Sequence, residues 1–195
     1  MTLDRNKILL AITVILLLPL SVSAHTGVGS QNGFISGFGH PLGGLDHLLA
    51  MVAVGLWAAQ LGGRSAWAVP VSFVALMMGA GILGLSGFYL PYIETGILVS
   101  ILVLGAMIAG DVRLSALAGS CVVGLFAVFH GHAHGAEMPL AAGAVAYTCG
   151  FAAATLLLHL AGIGLGCGLR KLAVARIQRL AGGLIAFSGI CLAVF

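Results

Sequence analysis

Long apolar segments alternate with short polar ones along almost the whole chain. Six of the apolar segments follow residue 24, and short stretches containing Gly, Pro or charged residues separate them. A membrane-spanning helix needs about 20 predominantly apolar residues, and each segment approaches that length. The pattern therefore predicts six membrane-spanning helices, near residues 44–62, 66–86, 92–110, 114–130, 139–161 and 179–195.

Residues 1–24 have a different layout from the six segments. They begin with basic residues, continue with a short apolar run and end with small residues. This order is typical of a secretory signal peptide. We expect cleavage after Ala24, which leaves one mature domain of residues 25–195 that begins with His25. An uncleaved first helix is the alternative.

The composition agrees with a membrane protein. Hydrophobic residues make up 61% of the chain and charged residues 7%, whereas soluble domains carry about 25% charged residues. So few charges cannot cover a water-facing surface, and the predicted fold class is all-α, a polytopic helical bundle in lipid. The net charge of +3 gives no indication of nucleic acid binding.

The basic residues instead predict the orientation of the bundle. Basic residues of membrane proteins concentrate in cytoplasmic loops. All basic residues after residue 24 follow the first, third or fifth span: Arg64, Arg113, Arg170, Lys171, Arg176 and Arg179. We therefore expect a multi-pass protein of the inner membrane with its mature N-terminus outside, in the periplasm.

This topology sorts the ionisable residues. His159 lies near the inner end of the fifth span, whereas the other histidines and two carboxylates fall at the outer side. The outer set consists of His25, His40, Asp46, His47, His130, His132, His134 and Glu137. So many histidines on one side indicate a binding site rather than separate packing residues.

The first motif lies where the first span begins. Asp46 falls in the first turn of that helix, where its carboxylate meets the positive end of the helix dipole. His47 and Met51 are four residues apart and share a helix face. His40 precedes Pro41 and a Gly-Gly pair, which can fold the segment back so that His40 approaches His47.

The second motif follows the fourth span. His130 and His134 are four residues apart and Glu137 follows three residues later, so a helix would place all three on one face. His132 would point elsewhere. Pro139 suits the first turn of the fifth span.

Imidazole nitrogens and carboxylate oxygens suit Ni, Co, Zn or Cu better than Ca or Mg. A buried Asp46 costs about 2.5–3.5 kcal/mol on insertion scales, and a bound divalent cation would offset that cost. An ion pair of Asp46 with His47 or His40, or a proton relay, is the alternative. Met51, His132 and the free amine and imidazole of His25 are secondary candidates for metal ligands.

Small residues have structural interpretations. Ala142, Ala146, Gly150 and Ala154 recur every four residues and predict a helix-packing face. Alternating glycines at 162, 164, 166 and 168 predict a loosened or broken helix end. The four cysteines have no C-x-x-C spacing, and we expect them to be small buried residues: Cys121, Cys149, Cys167 and Cys191. His159, Cys121 and Cys149 are candidates for an ion path through the inner half.

Both motifs resemble those of the HupE/UreJ family. The resemblance rests on His40, five intervening residues and then Asp46-His47, followed by Met51 and Gly55, and on the segment "FHGHAHGAEMP" from Phe129. It extends over the signal peptide, the start "AHTG" and the six spans. It implies a nickel or cobalt permease linked to hydrogenase or urease maturation. The residues carried over are His40, Asp46, His47, His130, His134 and Glu137.

The sequence thus predicts a secondary permease for Ni²⁺ or Co²⁺ that is not an enzyme and has no tightly bound cofactor; its partners are the divalent metal ion and membrane lipid. No phosphate-binding loop is present in the sequence. Two alternatives remain open: an intramembrane zinc-dependent hydrolase, and a metal chaperone or sensor that does not transport.

Overall fold

Seven α-helices form the regular structure of the described residues, which are 33–138, 143–171 and 175–194 of the computed structural model. Within these ranges there is no strand, which confirms the predicted all-α class. The predicted signal peptide, His25, Pro139 and Ala142 lie outside the described residues. The helices are α1 (Gly33–Gly43), α2 (Leu45–Leu61), α3 (Ser65–Leu85), α4 (Ile93–Ala109), α5 (Ala116–Ala136), α6 (Ala144–Lys171) and α7 (Ala175–Val194).

Each of the helices α2 to α7 overlaps one of the six predicted apolar segments, but α5 and α6 extend well beyond the predicted ends at 130 and 161. Four of them, α3, α5, α6 and α7, are long and apolar enough to cross a membrane, and the bent pair of α1 and α2 makes a fifth candidate. Helix α4 is apolar but has only 17 residues. The chain is a multi-pass helical membrane protein, and the number six for its spans stays a prediction.

Helix α1 was not predicted from the sequence. It turns into α2 through a bend of 84°, at the Pro41 to Gly44 segment where the fold-back was expected. Gly44 is extended, with φ −106° and ψ 124°, and it separates the two helices by a single residue. Asp46 then lies in the first turn of α2, as predicted.

The predicted break near the glycines of 162–168 is wrong. Helix α6 continues through them to Lys171 and has 28 residues. Gly162 is in close contact with the α2 backbone at Val52 and Leu56, where a Cβ would collide. Gly162 and Gly166 let α6 approach α2, and this packing compensates for the low helix propensity of Gly.

The expected small-residue face of α6 is a packing face. At Gly150 an added Cβ would collide with the backbone of Phe34 in α1, and Ala154 is buried. A glycine also allows α3 and α5 to pack closely, because Gly131 of α5 lies against the backbone carbonyl of Met77 in α3. The core between these helices includes Trp57, Phe73 and other apolar side chains.

Arginines contact the helix ends at one side of the bundle, which we call the arginine end. Arg113 donates to the carbonyl of Gln60, Arg170 to that of Ala59 at 2.7 Å, and Arg179 to that of Ala109 at 2.8 Å. These carbonyls belong to the last turns of α2 and α4, where cations are favourable. The opposite side, at which α2 begins and α5 ends, is the histidine end.

The expectation of buried cysteines is wrong. Cys121, Cys149 and Cys167 are exposed at the helix surfaces and Cys191 is partly exposed, all as free thiols. A membrane helix can present apolar residues to lipid, so an apolar segment does not imply burial within the bundle. Their exposure also removes Cys121 and Cys149 from any ion path through the interior.

Candidate metal site

Two groups of donor side chains meet at the histidine end. The inner triad consists of His47, His130 and His134, all buried. The outer triad consists of His40, His134 and Glu137, and it reaches the surface. In each triad the ligand atoms lie within 4.8 Å of one another. His134 belongs to both triads, so the two predicted motifs converge on one residue.

Asp46 orients one ligand of the inner triad. Its Oδ1 atom accepts hydrogen bonds from the backbone N–H and from Nδ1 of His47, both at 2.8 Å. An ionised carboxylate only accepts, so Nδ1 of His47 carries the proton. In the neutral ring Nε2 then has the lone pair, and this atom is buried with no hydrogen-bond partner among the described residues.

Ser100 orients a second ligand in the same way. Its hydroxyl donates to the carbonyl of Ile97 at 2.6 Å. The Ser100 oxygen lies 3.1 Å from Nε2 of His130 and must accept there, because its one hydrogen is already used. The Nδ1 atom of His130 therefore has the lone pair, and it too is buried and unpartnered within the described chain.

His134 lies between these two and completes the inner triad. Its ring centroid is 4.4 Å from that of His47 and 4.7 Å from that of His40. In the described structure neither of its ring nitrogens has a hydrogen-bond partner. No hydrogen bond fixes which of the two nitrogens carries the proton, so either one can present the single lone pair of the neutral ring to a ligand.

The outer triad is half open to solvent. The Nε2 atom of His40 lies 3.4 Å from Oε2 of Glu137, and these side chains are 31% and 50% exposed. The hydrogen bond with His40 lowers the pKa of the Glu137 carboxyl. A carboxylate that stays ionised at the surface next to a histidine suits the capture of a cation from water.

Aromatic rings line the site, and the sequence patterns did not predict them as site residues. Phe151 packs against His134 with ring centroids 3.8 Å apart, and Tyr147 lies 6.1 Å from His40. Phe73 lies 5.7 Å from His130. The signal that could have found Tyr147 and Phe151 is their spacing of four residues on α6, one helix face.

The remaining sequence candidates lie elsewhere. Met51 is buried in the apolar core, and its role as a metal ligand stays a prediction. His132 points away, as predicted, and its Nε2 contacts the carbonyl of Phe88. Asp46 is in neither triad of the described residues, because its carboxylate faces His47. The observed contact favours a positioning role for Asp46, and its role as a direct ligand stays a prediction.

Comparisons with known proteins bear on the whole chain. The family model described as HupE / UreJ protein matches residues 13–192. A curated relative, Protein HupE of Rhizobium leguminosarum bv. viciae, is 45% identical over 179 residues, which cover 92% of this chain and 93% of that protein. No solved structure matches the chain.

Proposed function

Because this chain belongs to the HupE/UreJ family, we propose that it is an inner-membrane permease for Ni²⁺, with Co²⁺ as the alternative cargo. The family resemblance links such a permease to the supply of metal to hydrogenase or urease. The proposal needs a site for a desolvated transition-metal ion inside a membrane bundle, and the inner triad has the properties of one.

The observation that supports the proposal most directly is the set of free lone pairs in the inner triad. Asp46 and Ser100 each fix one histidine in the form that directs an unprotonated nitrogen to the interior. Buried polar atoms of proteins are nearly always hydrogen-bonded. Several unbonded imidazole nitrogens on rings that contact one another indicate a ligand that accepts their lone pairs, and imidazole suits Ni²⁺ and Co²⁺.

The dimensions also fit a metal ion. Metal–imidazole bonds are about 2.0–2.1 Å long, so two donors on opposite sides of an ion are about 4 Å apart. The donor atoms of the inner triad lie within 4.8 Å, and a side-chain adjustment of less than 1 Å would bring them onto one ion, by the same bond lengths.

His134, which belongs to both triads, would allow the ion to pass from one triad to the other. Glu137 and His40 capture the hydrated ion at the surface together with His134. The ion then passes to His47 and His130 while His134 keeps hold of it, so the ion exchanges water for imidazole without becoming free. The carboxylate of Glu137, within the outer triad, and that of Asp46, beside the inner triad, offset its charge.

Vesicles test the proposal. The purified full-length chain, reconstituted in liposomes that contain a nickel-sensitive dye, should take up Ni²⁺ without another protein. His134→Ala should lower the affinity for Ni²⁺ by about 100-fold or more, since even the loss of a supporting contact costs 10–100-fold. The matched control is His132→Gln, whose amide can still donate to the Phe88 carbonyl and which should bind and transport normally.

The alternatives predict other results. Binding of Ni²⁺ by wild-type protein without uptake would contradict the permease and support a chaperone or sensor. Zinc-dependent hydrolysis of a lipid or peptide, lost in Asp46→Asn, would support the hydrolase. Uptake assays with Co²⁺, Zn²⁺ and Cu²⁺ identify the cargo. The order of intrinsic affinities favours Cu²⁺ at most sites, so binding strength alone does not identify the ion that is transported.

A further inference from the structure

Besides His132, a second buried histidine lies outside both triads. His159 lies on α6 and is fully buried. Neither of its ring nitrogens has a hydrogen-bond partner among the described residues. A histidine that only fills space normally keeps at least one nitrogen bonded, so packing does not account for these two free nitrogens.

The position of His159 places it deeper in the bundle than the triads. Its backbone carbonyl lies against Gly55 of α2, eight residues beyond His47, and it is eight residues beyond Phe151, which contacts His134. Eight helical residues rise about 12 Å. Both helices therefore put His159 about 12 Å further from the histidine end, toward the middle of a hydrocarbon core about 30 Å thick.

A single aromatic ring separates His159 from the inner triad. The Phe73 centroid is 5.7 Å from the ring of His130 and 5.2 Å from the ring of His159. The face of an aromatic ring tolerates a cation, and rotation of this one side chain would connect the two imidazoles. Phe73 is thus the barrier between two sets of unbonded nitrogens.

A hydroxyl and a thioether lie near the depth of His159 in the bundle. The hydroxyl of Thr155, one turn before His159 on the same face of α6, donates to the thioether of Met77 at 3.8 Å. Both side chains are buried. Hydroxyl and thioether groups give a moving transition-metal ion weak donors between two imidazole positions.

We propose that His159 is a second, inner binding site for the transported metal ion, reached from the inner triad past the ring of Phe73. This inference rests on the proposed function. It divides transport into two steps: capture and dehydration at the triads, and then transfer to a single imidazole, from which the ion leaves more readily because fewer ligands hold it.

The test separates binding from movement. Full-length wild-type protein and three variants, His159→Asn, His159→Cys and the control His132→Gln, are compared by calorimetric Ni²⁺ binding and by Ni²⁺ influx into dye-loaded vesicles. We expect His159→Asn to lower the initial influx at least tenfold while the affinity of the triads changes less than twofold. His132→Gln should leave both quantities near the wild-type values.

His159→Cys distinguishes ligation from shape. A thiolate is a metal ligand of softer character than imidazole, so this variant should regain part of the influx and favour Zn²⁺ or Cd²⁺ over Ni²⁺ relative to wild type. Thermal unfolding of each variant verifies the fold, and His159→Gln replaces His159→Asn if the latter does not fold.

Two results would overturn the inference. One is wild-type influx in the folded Asn or Gln variant. The other is loss of influx in both the amide variants and His159→Cys, which would make His159 a packing residue. If the proposed function is wrong, the wild-type protein itself will show no influx. That result is distinct from the two above, and it would also contradict the inference about His159.

Discussion

Asp46 is the residue whose role changes most between the sequence and the structure. Its position in the first turn of α2 is as expected, but its carboxylate is directed to Nδ1 of His47. A carboxylate behind a metal-binding histidine fixes the ring and increases its basicity. It also supplies negative charge beside neutral imidazoles without occupying a coordination position.

This contact predicts a graded effect of mutation at Asp46. Asp46→Asn retains an oxygen that can accept from His47 but removes the charge, so the affinity for Ni²⁺ should fall by about 10–100-fold, less than for His134→Ala. Calorimetry on both variants measures the difference. Asp111→Asn, at the arginine end, is the control and should bind Ni²⁺ with wild-type affinity. A loss at Asp46 as large as at His134 would instead make Asp46 a direct ligand.

At the scale of the helices, close contact between α3 and α5 sets the position of the inner triad. Gly131 follows His130 directly and lies against the backbone of Met77. Since His130 and His134 flank this contact on α5, the distance between the two helices determines how far both rings reach toward His47. The glycine is therefore a structural requirement of the site as well as of the bundle.

The consequence is a prediction for Gly131→Ala. The added Cβ would collide with the Met77 carbonyl, and overpacking of this kind costs about 1–3 kcal/mol of unfolding free energy. We expect a lower unfolding temperature and weaker Ni²⁺ binding, measured by thermal unfolding and calorimetry. Gly79→Ala on α3 is the matched control, since nothing lies within 4 Å of an added Cβ there. Equal stability of the two variants would contradict the close contact.

The sequence predicted the helices better than the way in which they meet. Long apolar segments specify spans by composition alone, and spacings of three and four residues placed His130, His134 and Glu137 on one face. Helix α1 was missed because eleven residues rich in Gly have neither the length nor the pattern of a span. The sharing of His134 and the position of Phe73 depend on the rotation of each helix about its axis, which no local pattern records.

At the scale of the whole molecule, the two ends of the bundle differ in charge. Arginines contact the ends of α2 and α4 on one side, while both triads lie on the other. Basic residues mark the cytoplasmic side of membrane proteins. The asymmetry therefore predicts that the triads face the periplasm, and that the ion enters the cell from the outer triad through the inner triad toward His159.

Thiol labelling tests this orientation in intact cells. In a chain whose four native cysteines are replaced by Ala, Tyr89→Cys lies in the exposed loop before α4 at the histidine end, and Val112→Cys lies in the exposed loop before α5 at the arginine end. Neither change removes a basic residue, so the determinants of orientation stay in place. A membrane-impermeant maleimide should label Tyr89→Cys in intact cells and Val112→Cys only after permeabilisation. The reverse pattern would place the triads in the cytoplasm and would contradict the proposed path of the ion into the cell.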